Sequence, residues 1–296
     1  MKHLVPWAPQ TGGAVIQSRS RWNAEGYRRV SHQLGKAAMT SPHIETSSHP
    51  IDDPRYLRQC REEFDKAGAL VLKGFFSADA IAQVVSASAP LERDAFYANS
   101  THNVYLTASD PQLSRAHPFN RQVTSSKGLI ADDEIPNDSP LRDVYNDGSF
   151  RGFLCAVLGI DEIHPYADDL SSINVHFAAE SHELGWHFDN SSFAVTMLLQ
   201  APESGGIFEY VANVRDPDTA EMAFERVTAV LDGVTPVDRL DFSPGDLVLF
   251  RGRNAMHRVT PTEGAVTRML VVFAYNDQPG VGLSESALTT FYGRTA

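Results

Sequence analysis

Two hydrophobic periods divide the chain. From Asp53 onward, Leu57, Cys60, Phe64 and Ala67 recur at three- and four-residue spacing. That period predicts an amphipathic helix, with Gly68 as its C-terminal stop. Ala69–Leu72 reads as a short buried strand, and Ser77 is placed to cap a second helix running to about Ser86. Residues 97–139 are long, polar and rich in Ser, Asn, Asp and Pro, which predicts a lid or binding loop. Residues 140–158 return to a helical pattern.

In the second half the period shortens. Ser172–Ala178, Phe193–Gln200, Gly206–Val211, Gly245–Arg251, Met256–Pro261 and Thr267–Asn276 are short runs rich in Val, Phe, Leu and Thr. Turn signals such as Glu203-Ser204-Gly205-Gly206 and Ser243-Pro244-Gly245-Asp246 separate them, so they read as strands. One helix, about Asp218–Leu231, interrupts the series. The order predicts a mainly β fold with flanking helices, either a β-sandwich or a jelly-roll barrel. Residues 1–50 have little periodicity and are expected to form a flexible or loosely docked arm, with Met39 as an alternative start. Residues 51–296 then make one domain: helical support and lid over 51–170, the β core over 171–277, and a C-terminal tail over 278–296.

Composition alters this little. With 42% hydrophobic and 21% charged residues the chain is of globular type. A net charge of −12 argues against a nucleic-acid or anionic-membrane surface, and leaves room for an acidic pocket that takes a small cation. The acidic runs Asp132-Asp133-Glu134 and Asp168-Asp169 read as solvated faces. The two cysteines, Cys60 and Cys155, sit in apolar patterns and are expected as buried free thiols in a reducing cytoplasm. The opening MKHLVPWAPQTGG lacks a continuous apolar core and a cleavage site, so no signal peptide is expected, and no stretch is apolar enough to span a membrane. Oligomeric state is not legible.

The candidate chemistry lies in Gly185-Trp186-His187-Phe188-Asp189-Asn190. In an extended segment, residues two apart point the same way, so His187 and Asp189 can grip one ion. His257, in the strand-like Met256–Pro261, is the candidate third ligand. Two imidazoles and one carboxylate form a facial triad that leaves adjacent positions open on iron(II). Arg268 follows His257 by eleven residues. It shares one face of its predicted strand with Leu270, Val272, Ala274 and Asn276. An arginine turned into a barrel needs an anion, and a carboxylate fits its fork. The plainer reading is a salt bridge to an internal acid.

The order His187-x-Asp189, His257, Arg268 on a β-rich C-terminal half resembles the iron(II)/2-oxoglutarate dioxygenase superfamily. Ala69–Phe76 and Pro244–Phe250 resemble its early strand and the strand before the distal histidine. The resemblance implies a double-stranded β-helix (jelly-roll, cupin-like) core, with Fe(II), the cosubstrate 2-oxoglutarate and O2 as cofactors, and ascorbate as an aid in vitro. It implies hydroxylation of a small-molecule substrate with release of succinate and CO2. Gly185–Asn190, Gly205–Tyr210 and the tail Phe291–Arg294 also resemble the branch that includes the radical halogenases of free lysine and related amino acids. Those halogenases have glycine where this chain has Asp189. The narrower resemblance therefore implies a hydroxylase relative acting on a free amino acid or related amine. Desaturation or cyclisation would use the same ligands. A cupin-like metal protein without 2-oxoglutarate turnover is the alternative of another class.

Further candidates surround the triad. Asn174 and His176, on one strand face, would orient 2-oxoglutarate or substrate, or pair within the sheet. Thr196 faces away from Val195 and Met197 and is a candidate cosubstrate contact. Trp186, Asn190, Asn276, His117 and Arg121 are substrate-contact candidates, the last two on the candidate lid Arg115–Arg121. His182 and Glu183 lie on the loop entering the metal site.

Overall fold

Alternation of side chains builds the barrel wall. In the computed structural model, which describes residues 40–219 and 221–296, the helices are α1 (Pro54–Ala67), α2 (Ala78–Ser88), α3 (Pro140–Asn146), α4 (Gly148–Leu158), α5 (Phe224–Leu231) and α6 (Glu285–Tyr292). The first strands are β1 (Ala69–Leu72), β2 (Phe96–His102), β3 (Val123–Ile130), β4 (Ile173–Ala178), β5 (Leu184–His187), β6 (Ala194–Gln200) and β7 (Ser204–Gly205). The remainder are β8 (Phe208–Val211), β9 (Asp238–Leu240), β10 (Leu247–Phe250), β11 (Met256–Val259), β12 (Thr262–Glu263) and β13 (Arg268–Phe273). One antiparallel sheet runs β1-β10-β6-β13-β4-β3-β5-β11-β8-β9, with β2 paired to β3 off that path. The sheet curls into a nearly closed barrel, the jelly-roll core expected; β7 and β12 pair separately.

Odd and even positions part along most of the large half of this barrel, although Val195 and Phe273 also border the cavity. Val175 and Phe177 of β4, Val195 and Met197 of β6, Leu247 and Leu249 of β10, and Val271 and Phe273 of β13 face outward into the main core. There they meet Phe64 of α1 and Phe150, Phe153 and Leu154 of α4. The alternate residues line the interior. Burying one such Phe contributes about 1.5–3 kcal/mol, so the helices fix which face of each strand turns inward.

Local signals explain the helix ends. Asp53 caps α1 by accepting from the Arg55 and Tyr56 amides, at 2.6 and 3.2 Å, and Gly68 closes the helix at φ +70°. The expected 140–158 helix breaks at Asp147. Its carboxylate accepts from the Phe150 amide at 2.7 Å, starting α4, and from the Ser41 amide at 2.8 Å. The helix expected from Asp218 begins only at Phe224.

The clearest departure lies in residues 97–139, expected to be a lid or loop. Most of β2 and all of β3 fall there and pair from Phe96↔Leu129 to His102↔Val123. A wall strand whose inner face lines a polar site carries no apolar period, so Ser125, Ser126 and Lys127 concealed it. The tail expected at 278–296 holds α6, whose Leu288 and Tyr292 pack on Leu129, Ala131 and Leu170. Expectations for residues 1–39, including the leader and the start at Met39, lie outside the described residues. Residues 40–50 are docked: Ile44 is buried and bridges Phe76. Cys60 and Cys155 are buried free thiols, as expected. Among the described residues, no helix is long and apolar enough to cross a membrane.

Candidate metal centre

His187 ends β5 and faces His257 across the β5–β11 ladder. Their rings lie 4.2 Å apart, centroid to centroid. Asp189 follows two residues on, its backbone amide donating to Gly252 O at 3.0 Å. Its Oδ1 lies 3.7 Å from His187 Nε2 and 3.5 Å from His257 Nε2. The three ligand atoms fall within 4.8 Å of one another, close enough to share one ion.

The hydrogen bonds behind the rings set their tautomers. His187 Nδ1 lies 2.8 Å from Gly185 O, and His257 Nδ1 lies 3.1 Å from Ala255 O. A carbonyl only accepts, so each Nδ1 donates its proton there, which leaves each Nε2, on the Asp189 side, as the atom that can bind an ion. Burial, with His257 alongside, pushes His187 down to about 3, which keeps that ring neutral. Two imidazoles and one carboxylate are the donor set of a borderline divalent cation, and the residues fit iron(II). Phe208 stacks on His257 at 5.4 Å and Phe250 meets it edge-on at 4.9 Å, closing that side to water.

The triad opens into a cavity of about 310 Å³. Arg268 lines it from β13 and is only 6% exposed. It has no hydrogen bond or ion pair among the described residues, and burial pulls it down to about 10. A buried guanidinium without a counter-ion is costly, so the site is built for an incoming anion. Gly206 makes the space: a Cβ there would stand 2.8 Å from Arg268 Cδ. An oxoacid chelated at the triad and pinned at Arg268 fits this arrangement.

Several expected residues do reach the cavity: His176 and Thr196 line it, as do His182 and Glu183. Others stand apart. Asn174 donates to Leu170 O and Ser171 O and accepts from the Tyr292 hydroxyl at 2.8 Å, so its amide serves the docking of α6. Trp186 faces outward beneath the Arg258 guanidinium, 4.9 Å from its ring. Asn190 is exposed beside the triad and outside the cavity lining. Asn276 accepts from the Gln278 amide at 3.0 Å. His117 stands edge-on to Phe224 at 4.7 Å, and Arg121 pairs with Asp232, so the expected lid is fastened to α5 and does not line the cavity.

Two residues that matter escaped the sequence reading. Lys127, on β3, lines the cavity. The face it shares with Ser125 and Leu129 was its only signal. Gly252 is the other: a Cβ on it would stand 1.8 Å from Asp189 Oδ2, so only glycine admits the carboxylate.

Comparison with known proteins agrees with this geometry. The family model for Halogenase D matches residues 52–287. Among solved structures, the alpha-ketoglutarate-dependent epimerase SnoN from nogalamycin biosynthesis matches with a TM-score of 0.54 at 15% identity, over 75% of this chain and 84% of that one. The carbocyclase SnoK from the same biosynthesis matches with a TM-score of 0.52 at 11% identity, over 81% of this chain and 92% of that one. HygX from Streptomyces hygroscopicus, solved with nickel, 2-oxoglutarate and hygromycin B, matches with a TM-score of 0.50 at 17% identity, over 77% and 90%. These likenesses are of fold. No curated protein matches the sequence. With the His-Asp-His centre, the buried arginine and the family match together, the chain belongs to the Halogenase D family, within the iron(II)/2-oxoglutarate oxygenase superfamily.

Proposed function

We propose that this oxygenase hydroxylates an unactivated C–H bond of a small substrate, a free amino acid or related amine, releasing succinate and CO2. The observation that carries the choice of hydroxylation is Asp189. Its carboxylate fills the position where the related halogenases have glycine, and Gly252 makes room for it. With that ligand in place, no position is left for chloride beside a chelating oxoacid and dioxygen.

Iron(II) with 2-oxoglutarate supplies dioxygen activation and removal of the substrate hydrogen. The protein holds and shields. His187, Asp189 and His257 fix the ion, and Arg268 receives the far carboxylate. Thr196 offers a hydroxyl on the wall between β10 and β13. Phe193, Phe208, Phe242 and Phe250 line the cavity and would pack against the apolar stretch under attack. Glu183 lines it too, with no ion pair among the described residues, which suits an amine. The buried, separate thiols suit a cytoplasmic protein.

The test is a turnover screen of amino acids and amines with iron(II), 2-oxoglutarate, ascorbate and O2, with and without chloride, read by mass spectrometry. A gain of one oxygen with stoichiometric succinate is expected. Exchange of hydrogen for chlorine by the unaltered chain would refute the assignment.

A further inference from the structure

The cavity holds a second cation besides Arg268. Lys127 reaches it from β3, and no carboxylate pairs with it among the described residues. Its nearest polar contact is His176 Nδ1, 3.4 Å from Nζ. Burial and the two neighbouring cations keep His176 neutral, so that nitrogen accepts from the ammonium without balancing its charge. Burial also pulls Lys127 down to about 8, while Asp189 partly opposes the shift. The cavity wall thus carries two cations awaiting anions.

Strand order says where along the site each cation stands. The sheet runs β13-β4-β3-β5 from Arg268 to His187. Arg268 is opposite Ala178 on β4, and Gly128 is opposite Phe177, which sets Lys127 beside the same Ala178 from the other side. The two cations flank a small residue on one row, roughly 10 Å apart at the backbone by strand spacing. Lys127 is on the strand next to the one carrying His187, and Arg268 is two strands further away. A dicarboxylate reaching from the His-Asp-His centre to Arg268 would pass Lys127 at the end nearer His187.

We propose that Lys127 anchors the keto-acid end of 2-oxoglutarate, its C1 carboxylate, while Arg268 anchors the far carboxylate. The inference rests on the cosubstrate role assigned above. Two cations then meet two carboxylates, and His176 between them holds Lys127 in position through its Nδ1.

The test needs no substrate. The full chain, loaded with iron(II) without oxygen, is titrated with 2-oxoglutarate by calorimetry and by the visible charge-transfer band of the chelate. Loss of a charge-assisted bond in Lys127→Met is expected to raise Kd roughly ten- to hundredfold. Lys127→Gln is measured beside it, and Lys127→Arg is expected to recover most of the loss. Iron content and the melting temperature without oxoacid should stay unchanged. A second arm uses 2-oxovalerate, which lacks the far carboxylate. Arg268→Ala should erase the preference for 2-oxoglutarate over 2-oxovalerate, whereas Lys127→Met should weaken both acids alike and keep the preference. A Kd within about twofold of the parent in both Lys127→Met and Lys127→Gln overturns the proposal. So does collapse of the preference in those variants, which would move Lys127 to the far end. A parent chain that binds iron but no 2-oxoglutarate would instead refute the cosubstrate assignment itself.

Discussion

Replacing Gly252 with alanine should detach Asp189 from the metal while leaving the fold intact. The added Cβ would stand 1.8 Å from Asp189 Oδ2, 2.4 Å from its Cγ and 2.9 Å from its Cβ. All three side-chain positions are too close, so rotating the carboxylate about its own bonds does not clear the methyl group. Ordinary contact begins at 3.4 Å, so Oδ2 must retreat by roughly 1.6 Å. The backbone resists, because the Asp189 amide donates to Gly252 O at 3.0 Å and holds the two segments together. Metal–ligand distances tolerate about 0.2 Å, several times less than the retreat required. Misplacing a partner of a ligand costs about 10–100-fold in metal affinity, and displacing the ligand itself should cost at least that much. The backbone of Gly252 is not in the left-handed region, so alanine strains no dihedral there. Anaerobic titration with iron(II) or manganese(II) checks the affinity, and the melting temperature without metal checks the fold. A Gly252→Ala protein that binds metal like the parent and couples 2-oxoglutarate to product would refute this placement of Asp189.

Three further outcomes follow from the same geometry. Asp189→Gly with chloride present should lose hydroxylation and, where metal is retained, leave the chloride position open; mass spectrometry of the product reads the change. Gly206→Ala, which presses on Arg268 Cδ at 2.8 Å, should raise the 2-oxoglutarate requirement in the same direction as Arg268→Ala with iron binding unchanged, as calorimetry would show. Affinity for 2-oxoglutarate should fall as pH rises through about 8. The sign follows from Lys127, whose proton is present below that value and lost above it. An arriving carboxylate favours the protonated form, so binding takes up a proton in that window and weakens above it. The groups around it do not mimic this: His176 titrates far lower, and Arg268 stays charged until about 10. Lys127→Arg should flatten the profile.

How much of this was legible depends on how local each signal was. The His187-x-Asp189 pair was readable because both ligands stand two apart in one short segment, and the inward face of β13 because period-two alternation is a local property of a strand. Arg268, Leu270, Val272 and Ala274 do line the cavity as their spacing required. Asn174 shares the inward face with His176, yet its amide is consumed by Tyr292 of a C-terminal helix. No local pattern announces where such a helix docks. Lys127 was hidden because a strand facing a polar site lacks apolar alternation. Gly252 was hidden because its role is a distance to a residue far away in sequence.

The candidate metal ligand His187 shows the limit of alternation most plainly. Val259 pairs with Leu184 and His257 pairs with His187, so a two-residue step on β11 matches a three-residue step on β5. That extra residue is a β-bulge, and it changes which side chains face inward. Leu184 and His187 both line the cavity although they are three apart, while Trp186 turns outward under Arg258. Strict alternation from Leu184 would have sent Trp186 into the barrel and His187 out of it. The turn of His187 toward the cavity and Asp189 is therefore a product of the β5–β11 register. A bulge of this kind leaves one residue unpaired and re-aims a side chain, while pairing holds at His257↔His187 and Val259↔Leu184. It lets the neighbouring Gly185 carbonyl accept from His187 Nδ1 at 2.8 Å and fix the tautomer that leaves Nε2 free for the metal.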